Sequence, residues 1–449
     1  MGSPASASTP SASSSGSERD RGPARGPLGP GLLGPAGCTW CRSPGQGAPG
    51  NVPGVALPED FWWGVAFASV QAEGAAPESD WRDWERQGRA PYSGEGGGFG
   101  TSYRDDLRLF AAHNLRHVRL TLEWSRLEPT NGNVDPWAVE HYRRVLAAAA
   151  DAGLAVWATL VDRTLPGWFG LDERGFRDQR ARSYYWPRHV ERCAEAFGAD
   201  VHAWVPIARP LRLARAGYLV GSAPPGRTDP RRFGEALVGA HQAGLEAWRV
   251  LRGGPPVATC YDVADVRPAE AGLTERRAAA QVDRSHWGWT TAFRDGLLEL
   301  GGGPQVQVPL QREAFDLVGL TIEDRVRVDA EGRWTSAHVP EDVAALVRRV
   351  AEEGPERPVV VLGQHIASPD ELGGVADELD GAVADGVPLH GWFAEPAIDG
   401  YEGALGATER GLFTSDRQAR PQAELLAELA GRSRPPDDFS NAVLLGGPG

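Results

Sequence analysis

Charged and polar side chains directly follow the apolar, strand-like runs of this sequence. A carboxyl group at such a place can act as a general acid, a general base or a nucleophile. An arginine can bind a carboxylate or phosphate through two parallel hydrogen bonds, and a histidine can titrate near neutral pH. The residues concerned are Asp162 and Arg163 after 155–160, Arg209 after 201–206, Glu323 after 315–320, His365 after 358–362, and Glu395 after 389–394.

Eight such runs alternate with stretches of helical periodicity, and together they predict the fold. Strands are predicted over 62–69, 116–122, 155–160, 201–206, 256–261, 315–320, 358–362 and 389–394. Helices are predicted over 136–152, 183–197, 231–252, 287–300, 340–353, 369–384 and 417–430. Strands that are apolar throughout and separated by helices indicate a parallel sheet covered on both faces. The predicted fold class is therefore α/β, a single (β/α)8 TIM barrel with parallel strands over 55–433, whose site lies at the C-terminal strand ends.

The two ends of the chain lack this pattern. Residues 1–54 are rich in Gly, Pro, Ser and Ala, and 434–449 is again rich in Pro and Gly. Such segments bury too little apolar surface to offset their chain entropy, so we predict a disordered N-terminal tail and a flexible C-terminal tail. Met1 is the only methionine, so a natural start near Val52 or Val55 is an alternative in which residues 1–54 are not part of the natural protein.

The charge balance excludes some classes of partner. The formal net charge is -14, so no basic surface for nucleic acid is indicated. Neither an apolar run of about 18 residues nor an N-terminal apolar stretch is present, which predicts no membrane contact and a cytoplasmic location. Cys38 and Cys41 have the spacing of half a zinc site, but no second pair accompanies them, so we predict neither a metal nor a cofactor.

Several motifs occur in a characteristic order along the chain. Segment 61–74 reads FWWGVAFASVQAEG, 117–129 reads HVRLTLEWSRLEP, 164–169 reads TLPGWF, 391–393 reads GWF, and 410–413 reads RGLF. From about Leu57 to Leu429 the chain thereby resembles glycoside hydrolase family 1, the β-glucosidase family. The resemblance implies a TIM barrel, a small sugar-like ligand, and a place in carbohydrate metabolism through hydrolysis of O-glycosyl bonds.

The resemblance fails where the family carries its two catalytic glutamates. Arg209 stands at the acid/base position and Gly363 at the nucleophile position. A retaining glycosidase needs two carboxyl groups about 5–5.5 Å apart. Arginine stays protonated in proteins and glycine has no side chain, so neither residue can replace its glutamate. The chain is thus identified as a divergent member that lacks both catalytic glutamates.

Other positions of the family's pocket are kept or replaced. Gln71 and Glu402 match residues that bind sugar hydroxyls, whereas Asp162 replaces a histidine and Glu395 a tryptophan. The family has a cis peptide bond at that tryptophan, and a prolyl bond forms the cis isomer at low cost, which predicts a cis Glu395–Pro396 bond. The expected ligand-binding residues are Gln71, Arg119, Trp124, Asp162, Arg209, Glu395, Asp399 and Glu402.

The positive charge of the buried arginines in the altered pocket has to be neutralised in one of two ways. Without a glutamate at position 363, the guanidinium of Arg119 needs another partner, and Arg209 adds a second charge. The carboxyl groups of Asp162, Glu395 and Glu323 could form an internal ion-pair network. Alternatively, an anionic ligand could complete the balance through bidentate contacts.

Two small-molecule functions follow, and the residues leave both open, beside a purely structural or partner-binding role in which the pocket is collapsed. The first is a pseudoglycosidase that binds a glycoside or another polar, possibly anionic, small molecule without double-displacement hydrolysis. The alternative is an enzyme that hydrolyses O-glycosyl bonds, or does other chemistry, with rearranged groups: Glu395, Asp162 or Glu402 as acid or base, and His365 or Arg209 stabilising charge. The sequence identifies neither the ligand nor the oligomeric state.

Overall fold

The computed structural model describes residues 57–433. The predictions for the tails 1–54 and 434–449 concern residues outside this range. Within it, no helix combines the length and the apolar character that a membrane span requires.

Eight parallel strands form the central sheet, in the spatial order β4-β3-β2-β1-β8-β7-β6-β5. The strands are β1 Trp62–Ala66, β2 His117–Thr121, β3 Ala155–Val161, β4 Ala203–Ile207, β5 Tyr261–Val263, β6 Val318–Ile322, β7 Val359–Gln364 and β8 Leu389–Ala394. A parallel bridge joins Trp204 of β4 to Val257, and the Trp204 backbone N–H donates to the Pro256 carbonyl oxygen at 2.8 Å. These contacts connect the two ends of the sheet, so the predicted TIM barrel is confirmed.

Helices surround the barrel and precede most of its strands. Their bounds are Ser69–Glu73, Asp80–Arg86, Phe99–Ala112, Trp124–Leu127, Pro136–Asp151, Gln179–Phe197, Pro210–Ala214, Pro230–Leu251, Leu273–Trp287, Trp289–Asp295, Val343–Glu353, Pro369–Ala384 and Pro421–Arg432.

The helix predicted over 287–300 is wrong in its second half. Trp289–Asp295 ends at Gly296, whose φ of +69° is left-handed and terminates the helix. Leu297–Leu298 then pairs with Val306–Gln307 as a short antiparallel ribbon. The preceding helix Leu273–Trp287 was not predicted, because it is mostly polar and carries no clear apolar stripe.

The barrel strands bury both of their faces. One cluster of buried residues consists of strand residues and their flanks, among them Trp62, Trp157, Val205, Val360 and Phe393, and it fills the barrel interior. The larger cluster joins the opposite strand faces to the helices. Burial of both faces explains why these strands read as continuous apolar runs rather than as alternating ones.

A small sheet extends the barrel beyond β5 and β6. It consists of Val266–Pro268, Arg325–Val328 and Trp334–Ala337, with the middle strand parallel to the first and antiparallel to the last. This sheet brings Trp334 to the C-terminal end of the barrel, beside the cavity described next.

Candidate functional site

A polar cavity of about 340 Å³ opens at the C-terminal ends of the strands. Ligand sites of TIM barrels are built at this end, from the loops that follow the strands. The charged and imidazole side chains in its wall are Arg163, Arg209, Arg212, Arg215, Asp262, His286, Glu323, Asp324, His365, Glu395, Glu402 and Arg410. Gln71, Gly363 and Trp334 also line it.

Arg119 forms the fully buried base of the site. Its Nε donates to the carbonyl oxygen of Leu362 at 2.9 Å. Its two terminal nitrogens donate to Asp162 Oδ2 at 3.2 Å and to Glu395 Oε2 at 2.8 Å. Removal of a guanidinium from water is costly, and these two carboxylates compensate for it.

Arg209 approaches the same two carboxylates from the end of β4. Its terminal nitrogen donates to Glu395 Oε1 and lies 3.4 Å from Asp162 Oδ2. The residue adopts a left-handed conformation with φ of +53°, and its backbone N–H donates to the Cys260 carbonyl oxygen at 2.9 Å. An arginine in this conformation carries backbone strain, which is common in ligand sites. Arg163, at φ +65°, shares this feature.

The Glu395 carboxylate therefore joins two buried guanidiniums. Burial alone would raise the pKa of Glu395, but the charges of Arg209, Arg119 and Arg163 outweigh burial and lower the pKa to about 2. The carboxylate stays ionised at neutral pH and cannot donate a proton there. The Glu395–Pro396 bond is cis, so that prediction is confirmed.

Gly363 lies in β7 directly beside this carboxylate. A Cβ atom built on Gly363 would overlap Glu395 Oε2 and would lie 3.3 Å from a methyl carbon of Thr321. The Glu395 carboxylate thus occupies the space that a side chain at position 363 would enter. Only glycine at 363 is compatible with the observed position of the carboxylate.

The internal ion-pair network that the sequence left open is formed, but it does not include every predicted member. Asp162 and Glu395 join it, whereas Glu323 makes no ion pair within residues 57–433. Asp162 Oδ1 is buried without a hydrogen-bond partner in the same part of the chain.

A second cluster contains the predicted sugar-binding pair. Gln71 Nε2 donates to Glu402 Oε1, and Gln71 Oε1 accepts from the Ala68 backbone N–H at 2.8 Å. Arg163 donates to Glu402 Oε2 at 2.9 Å. Burial would raise the pKa of Glu402, but Arg163 and then Arg212 lower it. Glu402 is therefore a charged acceptor that a ligand hydroxyl could share.

His365 lines the cavity as a neutral base. Burial, followed by the charge of Arg410, lowers the pKa of His365 to about 4. The Arg410 side chain lies 3.3 Å from its ring nitrogens, and the His338 ring centroid is 5.4 Å away. It can accept a hydrogen bond at neutral pH but carries no charge there.

Four predicted ligand-binding residues do not line the cavity: Arg119 and Asp162 are buried in the ion-pair network, and Trp124 and Asp399 have other roles. Trp124 is buried and stacks on the His189 ring at a centroid distance of 4.4 Å. Asp399 accepts a bidentate pair from Arg420 at 2.7 and 2.8 Å, and it also accepts from the Gly411 backbone N–H. Trp124 packs in the hydrophobic core, and Asp399 holds the segment that follows β8.

The cavity residues that sequence reasoning missed include Arg212, Arg215, Asp262, His286 and Trp334. Asp262 was detectable, because it directly follows the predicted strand 256–261. Arg212 and Arg215 were detectable too, since Arg209, Arg212 and Arg215 recur every third residue along a helical segment. No sequence signal distinguishes His286 or Trp334 from core residues.

Asp262 has the opposite electrostatic environment to Glu395. Burial and the nearby Glu323 charge raise the pKa of Asp262 to about 8, although Arg209 opposes the shift. Its Oδ2 accepts from the Leu211 backbone N–H at 2.9 Å. Asp262 is therefore mainly protonated at pH 7 and could donate a proton to a ligand.

No group of three or more His, Cys, Asp or Glu side chains among residues 57–433 is arranged to hold a metal ion.

Comparison with known sequences places this geometry in context. The model of the family described as Glycosyl hydrolase family 1 matches residues 55–325, more than half of the chain. The chain is 24% identical over 416 residues to thermostable beta-glucosidase B of Thermobispora bispora, covering 81% of this chain and 87% of that protein. It is 27% identical over 226 residues to beta-glucosidase 1B of Phanerodontia chrysosporium, covering 43% of this chain and 40% of that protein. The match to beta-glucosidase 5 of Oryza sativa likewise spans only 37% of that relative.

Solved structures share the fold over most of its length. A beta-glycosidase from Pyrococcus horikoshii superposes with a TM-score of 0.77 at 22% identity, covering 87% of this chain and 98% of that one. A beta-glucosidase from Thermotoga maritima in complex with glucoimidazole superposes with a TM-score of 0.74 at 19% identity, covering 84% and 99%. At these identities the likeness establishes the fold.

Proposed function

Because the chain belongs to glycosyl hydrolase family 1, we propose that it is a pseudoglycosidase, which binds a glycoside or another polar small molecule without hydrolysing it by double displacement. In this proposal Arg209 and Gly363 stand where active relatives carry the acid/base and nucleophile glutamates. A guanidinium cannot exchange a proton at neutral pH, and a glycine cannot attack a sugar.

One observation carries the proposal: the carboxylate of Glu395 is shared between Arg119 and Arg209. A nucleophilic carboxylate needs a free oxygen, and a general acid needs a proton. Each oxygen of Glu395 accepts from a guanidinium, and its pKa of about 2 leaves no proton to donate at neutral pH. In this proposal the Glu395 carboxylate, which lies beside Gly363, neutralises two buried arginines and acts neither as a nucleophile nor as an acid.

In this proposal the cavity still binds a polar ligand. Gln71, Arg163 and Glu402 form a hydrogen-bonded cluster in the cavity wall. Amide and carboxylate groups pair with hydroxyl groups, and the known structures include a β-glucosidase bound to deoxynojirimycin. A sugar ring is the ligand that these groups fit best.

A second candidate function is inverting hydrolysis with rearranged carboxyl groups. Asp262 favours it, because a carboxyl group with a pKa of about 8 could act as general acid. Glu323 lines the same cavity without an ion-pair partner among the described residues, and it could activate water. An inverting site needs about 6.5–9.5 Å between its carboxyl groups. This pair replaces Glu395, Asp162 and Glu402, which the sequence offered as acid or base.

Calorimetric titration with phenyl β-D-glucoside tests the proposal. We expect the protein to bind the intact glycoside, and Gln71→Leu to weaken binding about tenfold, because a buried hydrogen bond to a charged network is lost. Gln87→Leu is the matched control. Gln87 is exposed, directly follows the helix Asp80–Arg86, and does not line the cavity. Absence of binding to the unaltered protein contradicts the proposal, and release of phenol during the titration favours the second candidate.

A further inference from the structure

Three arginines follow β4 at regular spacing and all reach the cavity. Arg209 precedes the helix Pro210–Ala214, Arg212 lies within it, and Arg215 begins the π-helix Arg215–Val220. Residues three apart on a helix lie on one face, so the segment directs a row of guanidiniums along the cavity wall. Arg209 is neutralised by Glu395, whereas Arg212 has only a 4.0 Å contact with Glu402 and Arg215 makes no ion pair among the described residues.

Arg212 is poorly neutralised by the protein. Its closest carboxylate oxygen is Glu402 Oε2, at 4.0 Å, and this oxygen already accepts from Arg163 at 2.9 Å. The like charge of Arg163 is the main cause of a lowered pKa for Arg212, and Arg209 adds to it. Its side chain is 42% exposed. Crowding of like charges beside solvent is relieved when an anion binds.

Arg215 makes no ion pair within residues 57–433. Its guanidinium carbon lies 4.3 Å from the centre of the Trp334 ring, so the ring face supports it while its edge remains available for hydrogen bonds. Burial lowers the pKa of Arg215 despite the opposing charge of Glu323. An arginine stacked in this way is well suited to bidentate recognition of an oxyanion.

The charges of the cavity wall leave a positive surplus at neutral pH. Five arginines and five carboxyl groups line it. Of the carboxyl groups, Asp262 is mainly protonated at pH 7, because its pKa is about 8. Asp324 is held by His338 at 2.8 Å, and Glu395 and Glu402 are paired with Arg209 and Arg163. Glu323 alone of these carboxyl groups therefore remains to balance Arg215 and the weakly paired Arg212.

We infer that Arg212 and Arg215 form an oxyanion-binding subsite, which holds a carboxylate, phosphate or sulfate group on the part of the ligand outside the sugar ring. The inference rests on the proposed function, since the sugar is held by the cluster around Gln71 and Glu402. The ligand class is then an anionic glycoside or an acidic, hydroxylated molecule of similar size.

Two glycosides that differ by one carboxylate test this inference. We expect 4-carboxyphenyl β-D-glucoside to bind at least about tenfold more tightly than phenyl β-D-glucoside at low ionic strength, and this advantage to shrink as potassium chloride is added. The double variant Arg212→Gln/Arg215→Gln should abolish the advantage, so that the two glycosides bind it with equal affinity. The double variant Arg276→Gln/Arg277→Gln is the control, since both of its arginines are exposed and lie outside the cavity.

The outcomes separate the subsite from the proposed function. Equal binding of both glycosides overturns the subsite and leaves the proposed function standing. Inorganic phosphate serves as a probe without sugar: if neither glycoside binds but phosphate binds and needs Arg212 and Arg215, the subsite stands and the proposed function falls. An advantage that persists in the Arg212→Gln/Arg215→Gln protein, or that disappears in the control, overturns the subsite. If neither glycoside nor phosphate binds, both are wrong.

Discussion

Replacement of Glu395 by glutamine is expected to lower the free energy of unfolding by about 3–5 kcal/mol. This is the usual cost when one member of a buried ion pair is removed and its partner stays charged. Arg119 and Arg209 would share only Asp162, whose Oδ2 lies 3.2 and 3.4 Å from them. Urea unfolding of both proteins, followed by tryptophan fluorescence, measures the difference.

Glu140→Gln is the matched control for this change. Glu140 makes an ion pair with Arg144 at 2.9 Å on an exposed helix face, with 46% of its side chain exposed. Such pairs contribute about 0.3–0.5 kcal/mol, so this variant should unfold almost as the unaltered protein does. Equal decreases in the free energy of unfolding in the two variants would show that Glu395 does not neutralise a buried cluster.

The stabilisation by Glu395 has a defined dependence on pH. Its pKa in the folded protein, about 2, is below the ordinary value of 4.5. A group with a lowered folded-state pKa stabilises the protein above its unfolded pKa and loses this contribution as the pH falls towards its folded pKa. The difference between the unaltered protein and Glu395→Gln should therefore be largest near neutral pH and shrink between pH 4.5 and pH 2.

Gly363→Ala is expected to cost about 1–3 kcal/mol, as is typical when a methyl group is forced into a filled site. The new Cβ would overlap Glu395 Oε2. That oxygen cannot move away freely, because it accepts from Arg119 at 2.8 Å. Thermal and urea unfolding of the variant provide the measurement.

A double-mutant cycle assigns this cost to the carboxylate. In a Glu395→Ala background the obstructing oxygen is gone, so Gly363→Ala should be close to neutral. Gly373→Ala is the control, since Gly373 lies in the helix Pro369–Ala384 with no atom within 4 Å of an added Cβ, and alanine should stabilise it. An equal cost of Gly363→Ala with and without Glu395 would show that the carboxylate does not occupy this space.

The fold could be predicted from sequence because burial on both faces produces long apolar runs. Each of the eight predicted strands overlaps or directly precedes an observed one, and the rule that places the site at their C-terminal ends identified Asp162, Arg209 and Glu395. The strand near 256–261 was the least regular, since only Tyr261–Val263 is continuous there. The helix Leu273–Trp287 was not predicted, because its apolar stripe is weak.

The relation between Gly363 and Glu395 could not be predicted from the chain. It depends on how β7 and β8 are aligned, and their register shifts between Val361 and Gln364. Trp124 was expected at the ligand because it follows a strand end, yet its indole is buried in the core and stacks on His189. The cytoplasmic location remains a prediction.

A mechanism-based label tests the central claim most directly. In 2,4-dinitrophenyl 2-deoxy-2-fluoro-β-D-glucoside the dinitrophenolate leaves readily, and a retaining nucleophile keeps the fluorosugar as a covalent ester. Intact-protein mass spectrometry after prolonged incubation should show the unlabelled chain, with no burst of dinitrophenolate, while an active β-glucosidase in the same buffer is fully labelled. A stoichiometric burst with one fluoroglucosyl group attached to the Glu395 peptide would contradict the claim and identify a working nucleophile.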